Sequence, residues 1–306
     1  MLRGRRRDAQ NLQRCLAGAA DRASYDIVLS SGFLAFANHS GFLAAVEKAE
    51  MHVQGVMGTS AGALAGSLYC AGYTPRQVAA ELSRQPPIKL LRPSIDPWNG
   101  FFSLDGVVER LKDLLPPTFE DLQTEFAVGL VSAVDGKHVL VDSGPLPEAV
   151  AASAAIPLLF QPVKLPGYSR LNLLSPFKDG GCVDRVGLQS WRERRQKQAE
   201  GDSQLVPPAL VHVISRSSPF SGFDDVRSQP EEGVFVLRSP QSGVSLINLG
   251  DFEGQMDACQ TRVQPTLLDI SMSRASAGFL GNGGKQTNVA ASSLGQERLK
   301  AGSMRT

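Results

Sequence analysis

The first part of the chain alternates between strand and helix patterns, and this order constrains the fold more than any other feature of the sequence. YDIVLS at 25–30 predicts a short buried strand, and a polar turn, SSGFLAFANHSG at 30–41, separates it from a helix, GFLAAVEKAE at 41–50. HVQGVMG at 52–58 predicts a second strand, followed by a helix of small residues, SAGALAGSLYCAG at 60–72. Strand, helix, strand, helix predicts a parallel α/β sheet.

The later part of the chain adds a hairpin, two helices and another strand. LDGVVERLKDLL at 104–115 has helical apolar spacing, and PLPEAVAASAAIPLLFQPV at 145–163 predicts a helix that ends before Pro157. Between them, FAVGLVSAVDGKHVLVDSG at 126–144 predicts two strands joined by an Asp-Gly turn. PALVHVISRS at 208–217 predicts a further buried strand, so the pattern as a whole indicates an α/β protein.

The predicted elements indicate a single folded domain over residues 25–270. The preceding segment, 1–24, is rich in arginine, and we expect it to be a disordered basic leader. The final segment, 271–306, consists largely of Ser, Gly, Ala, Asn and Gln and has little apolar surface to bury, so we expect a disordered tail.

Composition and charge exclude several classes of protein. Hydrophobic residues make up 42% of the 306 residues and the net charge is +1, a globular profile that indicates no nucleic-acid partner. No apolar stretch approaches the ~20 residues of a membrane-spanning helix. The leader lacks the apolar core of a secretory signal, which favours an intracellular protein, soluble or peripheral to a membrane, and its arginines are compatible with import into a plastid or mitochondrion.

The cysteines indicate neither a structural metal nor a disulfide framework. The four of them are far apart and form no CxxC pair: Cys15, Cys70, Cys182 and Cys259. We therefore expect reduced and mostly buried thiols.

The pentapeptide GTSAG at 58–62 makes Ser60 a candidate nucleophile. A G-x-S-x-G turn between a strand and a helix holds its serine in a strained conformation that small neighbours tolerate, here Gly58 and Gly62. The turn presents the hydroxyl at the carboxyl edge of the sheet. The helix that follows would place its positive dipole end behind a developing oxyanion.

A serine hydroxyl needs a base, and two residues are candidates for that role. Ser60, Asp179 and His212 occur in the chain order of the α/β-hydrolase triad, although His212 lies within an apolar run typical of a buried strand. The other candidate is Asp179 acting alone, because the following Gly180 and Gly181 allow the backbone to approach closely and leave a short carboxylate facing a cleft.

Together, these segments resemble the patatin-like phospholipases, or lipid acyl hydrolases. The resemblance runs from about residue 25 to about residue 191 and rests on GTSAG, on TFEDL at 118–122, on SGPLPEAVAASAAIPLLFQPV at 143–163 and on KDGGCVDRVGL at 178–188. It implies a three-layer α/β/α fold with a mostly parallel central sheet and a catalytic dyad of Ser60 and Asp179. It implies an acyl-enzyme intermediate and no metal or cofactor.

The loop after the first strand departs from the pattern of this family. Family members usually have several glycines and often an arginine there, roughly G-G-G-x-R-G, whereas this chain has SGFLAF at 31–36. The resemblance places the oxyanion hole at the backbone N–H groups of Gly32 and Phe33. Three positions after the aspartate motif also replace the usual asparagine and proline: Asp184, Arg185 and Gly187.

The resemblance implies hydrolysis of fatty-acyl esters in phospholipids, galactolipids or neutral lipids. Such an enzyme meets its substrate at a membrane or a lipid-droplet surface, and two segments are candidates for that contact: WRERRQKQ at 191–198, otherwise a solvated basic helix, and PWNGFFSL at 97–104, otherwise part of the core. Two alternatives remain open: a catalytically silent lipid-binding protein with this fold, and a histidine-dependent esterase. The oligomeric state is not indicated.

Overall fold

A seven-stranded sheet forms the centre of the computed structural model, which describes residues 24–167, 176–199, 206–216, 222–224 and 231–280. Its strand order is β6-β5-β2-β1-β8-β9, and β7 pairs with β5. The strands are β1 (Ser24–Leu29), β2 (His52–Gly58), β3 (Arg92–Pro93), β4 (Phe102–Ser103), β5 (Glu125–Ser132), β6 (His138–Val141), β7 (Phe177–Asp179), β8 (Ala209–Ile214) and β9 (Val234–Ser239). The short strands β3 and β4 pair with each other, outside the main sheet.

Seven helices lie along the described part of the chain. They are α1 (Phe36–Lys48), α2 (Ala61–Cys70), α3 (Pro75–Ser83), α4 (Asp105–Leu114), α5 (Leu146–Ser153), α6 (Leu188–Ala199) and α7 (Phe252–Leu280). Helix α1 begins before the predicted residue 41 because polar residues of the expected turn are buried with partners in neighbouring segments. The Asn38 side chain donates to the carbonyl of Pro240 at 3.4 Å, and His39 Nε2 lies 2.9 Å from the carbonyl of Ser30.

Alternating burial along the strands creates two apolar faces. Ile27 packs on the side that contains Phe42 of α1, whereas Val28 packs with Trp191 of α6 on the other side. The pairs β1–β2, β1–β8, β2–β5 and β8–β9 are all parallel. These observations confirm the predicted three-layer α/β/α architecture with a mostly parallel central sheet.

Strand β5 brings β7 into line with the end of β2. Val128 pairs with Gly58 of β2 on one edge and with β6 on the other, in the predicted hairpin. Two residues further on, Leu130 pairs with β6 and also with Asp179. Strand β7 therefore pairs antiparallel with the same side of β5 as β2, but further along β5, past the last residue that pairs with β2. As a result, Asp179 lies just beyond the carboxyl end of β2.

The last described helix extends past residue 271, where the predicted tail begins. The backbone of α7 continues as helix to Leu280. Most of the basic leader, 1–23, and the remainder of the tail, 281–306, lie outside the described residues. Among the helices that are described, none combines the length and the apolar character needed to cross a membrane.

Candidate active site

Ser60 occupies a sharp turn between β2 and α2. Its φ of +55° and ψ of −116° lie in a region that residues other than glycine rarely adopt. A Cβ atom at Gly58 would lie 2.6 Å from the carbonyl oxygen of Gly62, and one at Gly62 would lie 2.7 Å from the carbonyl carbon of Leu29. Both glycines are therefore needed for close backbone packing around the serine.

The backbone N–H of Ser60 is held by a second serine, Ser153, which no sequence motif marks. It donates to Ser153 Oγ at 2.9 Å, and that hydroxyl donates in turn to the carbonyl of Gly129 at 2.8 Å. Ser153 is fully buried at the end of α5. Since the Ser153 proton is committed to Gly129, its oxygen is free to accept the Ser60 N–H. The only signal in the sequence was a polar residue directly after a run of apolar residues at the end of an alanine-rich helix.

Asp179 ends β7 and is only 4% exposed. Burial raises the pKa of its carboxyl group to about 7, while hydrogen bonding from the side chain of Ser60 and from the Gly181 N–H opposes that rise. The Gly181 N–H donates to Asp179 Oδ1 at 2.7 Å. The structure thus brings together the two residues selected for catalysis, and a carboxylate with a pKa near 7 is suited to general-base chemistry.

The two glycines after Asp179 allow the aspartate turn to pack against its neighbours. A Cβ atom at Gly180 would lie 2.6 Å from the carbonyl carbon of Gly129, and one at Gly181 would lie 2.7 Å from Ser31 Oγ. The turn therefore contacts both β5 and the loop that follows β1.

The loop after β1 contains two backbone donors that find no partner among the described residues. Within the described part of the chain, neither the Gly32 N–H nor the Phe33 N–H has a hydrogen-bond partner, whereas the Ser31 N–H donates to the carbonyl of Arg185 at 2.6 Å. Gly32 is buried, and a Cβ atom there would lie 2.7 Å from Ile214 Cβ. Because buried N–H groups are nearly always paired, the Gly32 donor is a candidate ligand-binding group.

His212 lies inside β8 and is part of a buried hydrogen-bond chain. His39 Nε2 donates to the Ser30 carbonyl, so in a neutral ring His39 Nδ1 is the acceptor for His212 Nδ1, 3.0 Å away. His212 Nε2 then accepts from the hydroxyl of Ser239 at 2.9 Å. Burial lowers the pKa of both histidines, that of His39 to about 4. Both nitrogens of His212 thus face groups other than Ser60 and Asp179, which argues against a triad through His212.

Helix α6 is solvated on one face only, because two residues of the predicted basic segment, Trp191 and Arg195, are buried. Trp191 is fully buried, and its Nε1–H donates to Asp26 Oδ2 at 2.8 Å. Arg195 is also buried and bonds both oxygens of Asp26, at 2.8 and 2.9 Å. The sequence suggested exposure because these residues are polar, but the buried carboxylate of β1 requires them as donors.

The segment at 97–104 is exposed at its two most prominent aromatic residues, whereas Leu104 at its end is buried in a small apolar cluster against which Phe102 packs. Trp98 is 95% exposed and Phe101 is 62% exposed. With two neighbouring exposed residues they form an apolar rim, defined here as Ile95, Trp98, Phe101 and Leu158. The Phe101 N–H donates to the carbonyl of Leu158 at 3.2 Å, and the Asp179 N–H donates to Ala155 in the same segment at 3.0 Å. The rim is therefore joined through a short stretch of chain to the aspartate.

The described cysteines form no reactive cluster. Cys70 and Cys259 are buried, Cys182 is partly buried, and Cys15 lies outside the described residues. In the described ranges, His, Cys, Asp and Glu side chains nowhere form a group of three that could hold a metal ion.

Comparison with protein families and curated proteins gives matches over about half of the chain. The profile of the family described as patatin-like phospholipase matches residues 27–190. The chain is 29% identical over 165 residues to uncharacterised NTE family proteins of Mycobacterium bovis and Mycobacterium tuberculosis. That alignment covers 53% of this chain and 44% of each relative, so the chain matches less than half the length of these relatives.

Two solved structures align with most of this chain at low sequence identity. VipD from Legionella pneumophila aligns over 82% of this chain and 67% of its own, with 11% identity and a TM-score of 0.49. ExoU of the Pseudomonas aeruginosa type III secretion system, in complex with SpcU, aligns over 82% of this chain and 53% of its own, with 12% identity and a TM-score of 0.42.

Proposed function

Because the chain belongs to the patatin-like phospholipase family, we propose that it is a serine-dependent lipid acyl hydrolase that uses Ser60 as nucleophile and Asp179 as base. One observation carries this proposal: a serine in a strained strand-to-helix turn adjoins a buried carboxylate whose pKa is raised to about 7. The raised pKa keeps Asp179 basic enough to accept a proton from the serine hydroxyl at neutral pH.

The reaction proceeds through an acyl-enzyme. Ser60 Oγ attacks the carbonyl carbon of the ester while the Asp179 carboxylate takes its proton, and the carbonyl π electrons move to the oxygen. Collapse of this tetrahedral intermediate breaks the bond to the alcohol, which leaves with the proton from Asp179. Water then attacks the acyl-enzyme, Asp179 accepts its proton, and the fatty acid is released as Ser60 Oγ regains a proton.

The N–H groups of Gly32 and Phe33 are placed in this scheme as the oxyanion hole. Support comes from their lack of other partners among the described residues and from the packing of Ser31 against the aspartate turn. The N-terminus of α2, which begins directly after Ser60, adds a favourable dipole. Backbone donors need no particular side chain, so a loop with a single glycine is sufficient for this role.

The substrate class proposed is the acyl esters of membrane or storage lipids: phospholipids, galactolipids or neutral lipids. The apolar rim supports contact with a membrane or lipid-droplet surface, because exposed Trp and Phe side chains favour the interface between water and lipid. Its connection to Asp179 through the segment at 155–158 would bring bound lipid close to the catalytic pair.

A fluorophosphonate probe tests the proposal without knowledge of the natural lipid. Wild-type protein is compared with Ser60→Ala, Asp179→Asn and His212→Gln, with circular dichroism as the check on folding. The dyad predicts that labelling is lost at Ser60→Ala, is strongly reduced at Asp179→Asn and is kept at His212→Gln.

Two results would overturn the dyad. Loss of labelling in a folded His212→Gln protein, with labelling kept in Asp179→Asn, would favour a histidine-dependent esterase. Absence of labelling in folded wild-type protein that still binds lipid vesicles would favour a silent lipid-binding protein.

A further inference from the structure

Arg185 places a buried guanidinium group beside the loop that follows β1. Its side chain is only 2% exposed, although arginine is among the residues least often buried. One nitrogen, Nη2, donates to the carbonyl of Ile214 at 2.7 Å and to that of Ser31 at 3.3 Å, and the other, Nη1, pairs with Asp224 Oδ1 at 2.5 Å. A buried charge with this many partners is held in one orientation.

Contacts of Arg185 with Ser31 involve the backbone as well as the side chain. The Arg185 carbonyl accepts from the Ser31 N–H at 2.6 Å, while its guanidinium donates to the Ser31 carbonyl. The hydroxyl of Ser30 donates to that same carbonyl at 3.0 Å. Both polar groups of the Ser31 backbone are therefore fixed, one of them by two donors.

Fixing the carbonyl of Ser31 also fixes the N–H of Gly32, because the two belong to one planar peptide unit. In a trans peptide the C=O and N–H bonds point in opposite directions. Donors that hold the Ser31 oxygen on one side therefore direct the Gly32 N–H towards the other. Gly32 is buried, and its N–H has no partner among the described residues. This N–H is therefore available to donate to a bound ligand.

We propose that Arg185 is a positioning residue, which holds the Ser31–Gly32 peptide so that the Gly32 N–H donates to the oxyanion of the reacting ester. This inference rests on the proposed function and assigns a role to a side chain that does not touch the substrate. Donation to the carbonyl side of the peptide also polarises it and strengthens its N–H as a donor. The loop itself contains no arginine, with Ala35 near its end, and the guanidinium instead comes from the segment that follows Asp179 and its two glycines.

The test compares Arg185→Met and Arg185→Lys in hydrolysis of a water-soluble ester, p-nitrophenyl butyrate. Loss of one oxyanion donor lowers turnover on the order of 100-fold to 1,000-fold, so a misdirected donor in Arg185→Met should lower kcat by at least about tenfold. KM should change little, because the oxyanion forms only after binding. Arg185→Lys should fall between wild type and Arg185→Met, since one ammonium cannot reach all three partners.

Arg194→Met is the matched control. Arg194 is also largely buried and also forms ion pairs, with Asp142 and Glu125. Glu125 is the first residue of β5 and so lies at the amino-terminal ends of the parallel strands, whereas Ser60 follows the carboxyl end of β2. This variant should lose stability without a selective fall in kcat. A fall of similar size in kcat for both folded variants would mean that Arg185 has only a general structural role.

Two further results separate the positioning role from the proposed function. Folded Arg185→Met with wild-type kcat would overturn the role of Arg185 while leaving the dyad intact, and if that variant does not fold, unchanged kcat in Arg185→Lys would do the same. A wild-type protein that neither hydrolyses the ester nor reacts with a fluorophosphonate would overturn the proposed function, and the inference about Arg185 with it.

Discussion

The contacts around Ser60 hold it in a strained backbone conformation. Its φ of +55° costs on the order of 1–3 kcal/mol, and the surrounding contacts must over-determine the turn for it to persist. Those contacts include the two glycines of the turn and the hydrogen bond from its N–H to Ser153.

Labelling of Ser60 should depend on pH through Asp179. Since burial raises the pKa of this carboxyl to about 7, the group is protonated below that pH and cannot accept the serine proton. The rate of fluorophosphonate labelling should therefore rise with pH and level off above an inflection near 7. Rates measured from pH 5 to pH 9 at constant ionic strength check this, and a flat profile would contradict a buried carboxylate base.

Replacement of Ser153 should weaken both the fold and the active site. In Ser153→Ala the buried N–H of Ser60 loses its acceptor, which costs about 1–3 kcal/mol of unfolding free energy, and the serine turn loosens. The unfolding free energy measured in urea and the rate of fluorophosphonate labelling should both decrease. Ser67→Ala is the matched control, because that buried hydroxyl donates to the carbonyl of Leu64 within the same helix α2, so labelling should be unchanged.

The strands and helices could be predicted because their signals are local, whereas several contacts around them could not. Periodicity in the sequence identified β1, β2, β8 and the hairpin of β5 and β6. It did not identify the early start of α1 or the burial of α6, since each depends on partners far away in sequence, such as Pro240 for Asn38 and Asp26 for Arg195. Local pattern carries no information about such partners.

The same distinction applies to the candidate site. Ser60 and Asp179 were predicted because short motifs mark them, and the structure brings them together. The roles of Ser153 and Arg185 were not predicted, because a serine in an apolar helix and an arginine after a turn become informative only when their partners are known.

The apolar rim should bind lipid surfaces separately from catalysis. Trp98→Glu removes a large exposed aromatic side chain and adds a charge, so affinity for phosphatidylcholine vesicles should fall by about tenfold or more, the equivalent of at least 1.4 kcal/mol. Vesicle co-sedimentation checks this, and kcat for a soluble ester should stay unchanged. Met272→Glu is the control, since Met272 is 67% exposed but distant from the rim. The preceding residue of α7, Ser271, donates to the carbonyl of Ala49 just before β2, at the end of that strand opposite to Ser60. Equal losses in both variants would contradict a specific role for the rim.

Considered as a whole, the molecule should lose stability on acidification because neutral histidines lie at its centre. Burial lowers the folded-state pKa of His39 from about 6.5 to about 4. Its contribution to stability is present in full above pH 6.5 and is lost as pH falls towards 4, at about 1.4 kcal/mol per unit. Between pH 7 and pH 5, wild type should therefore lose about 2 kcal/mol more unfolding free energy than His39→Gln.

Urea unfolding at the two pH values measures that difference. His39→Gln retains an amide that can donate to the Ser30 carbonyl, and His52→Gln at an exposed histidine is the matched control. An identical pH dependence in wild type and His39→Gln would show that the buried pair does not govern acid stability.

The position of β7 on the edge of β5 has a consequence for how the protein acquires its chemistry during folding. Ser60 and Asp179 are far apart in sequence, and they meet only after a three-residue strand has docked antiparallel beyond the end of β2. Contacts between distant segments form slowly because a long loop must close first. In refolding from urea, reactivity with a fluorophosphonate should therefore appear later than helical circular dichroism, so that Ser60 becomes an activated nucleophile only once β7 has docked on β5.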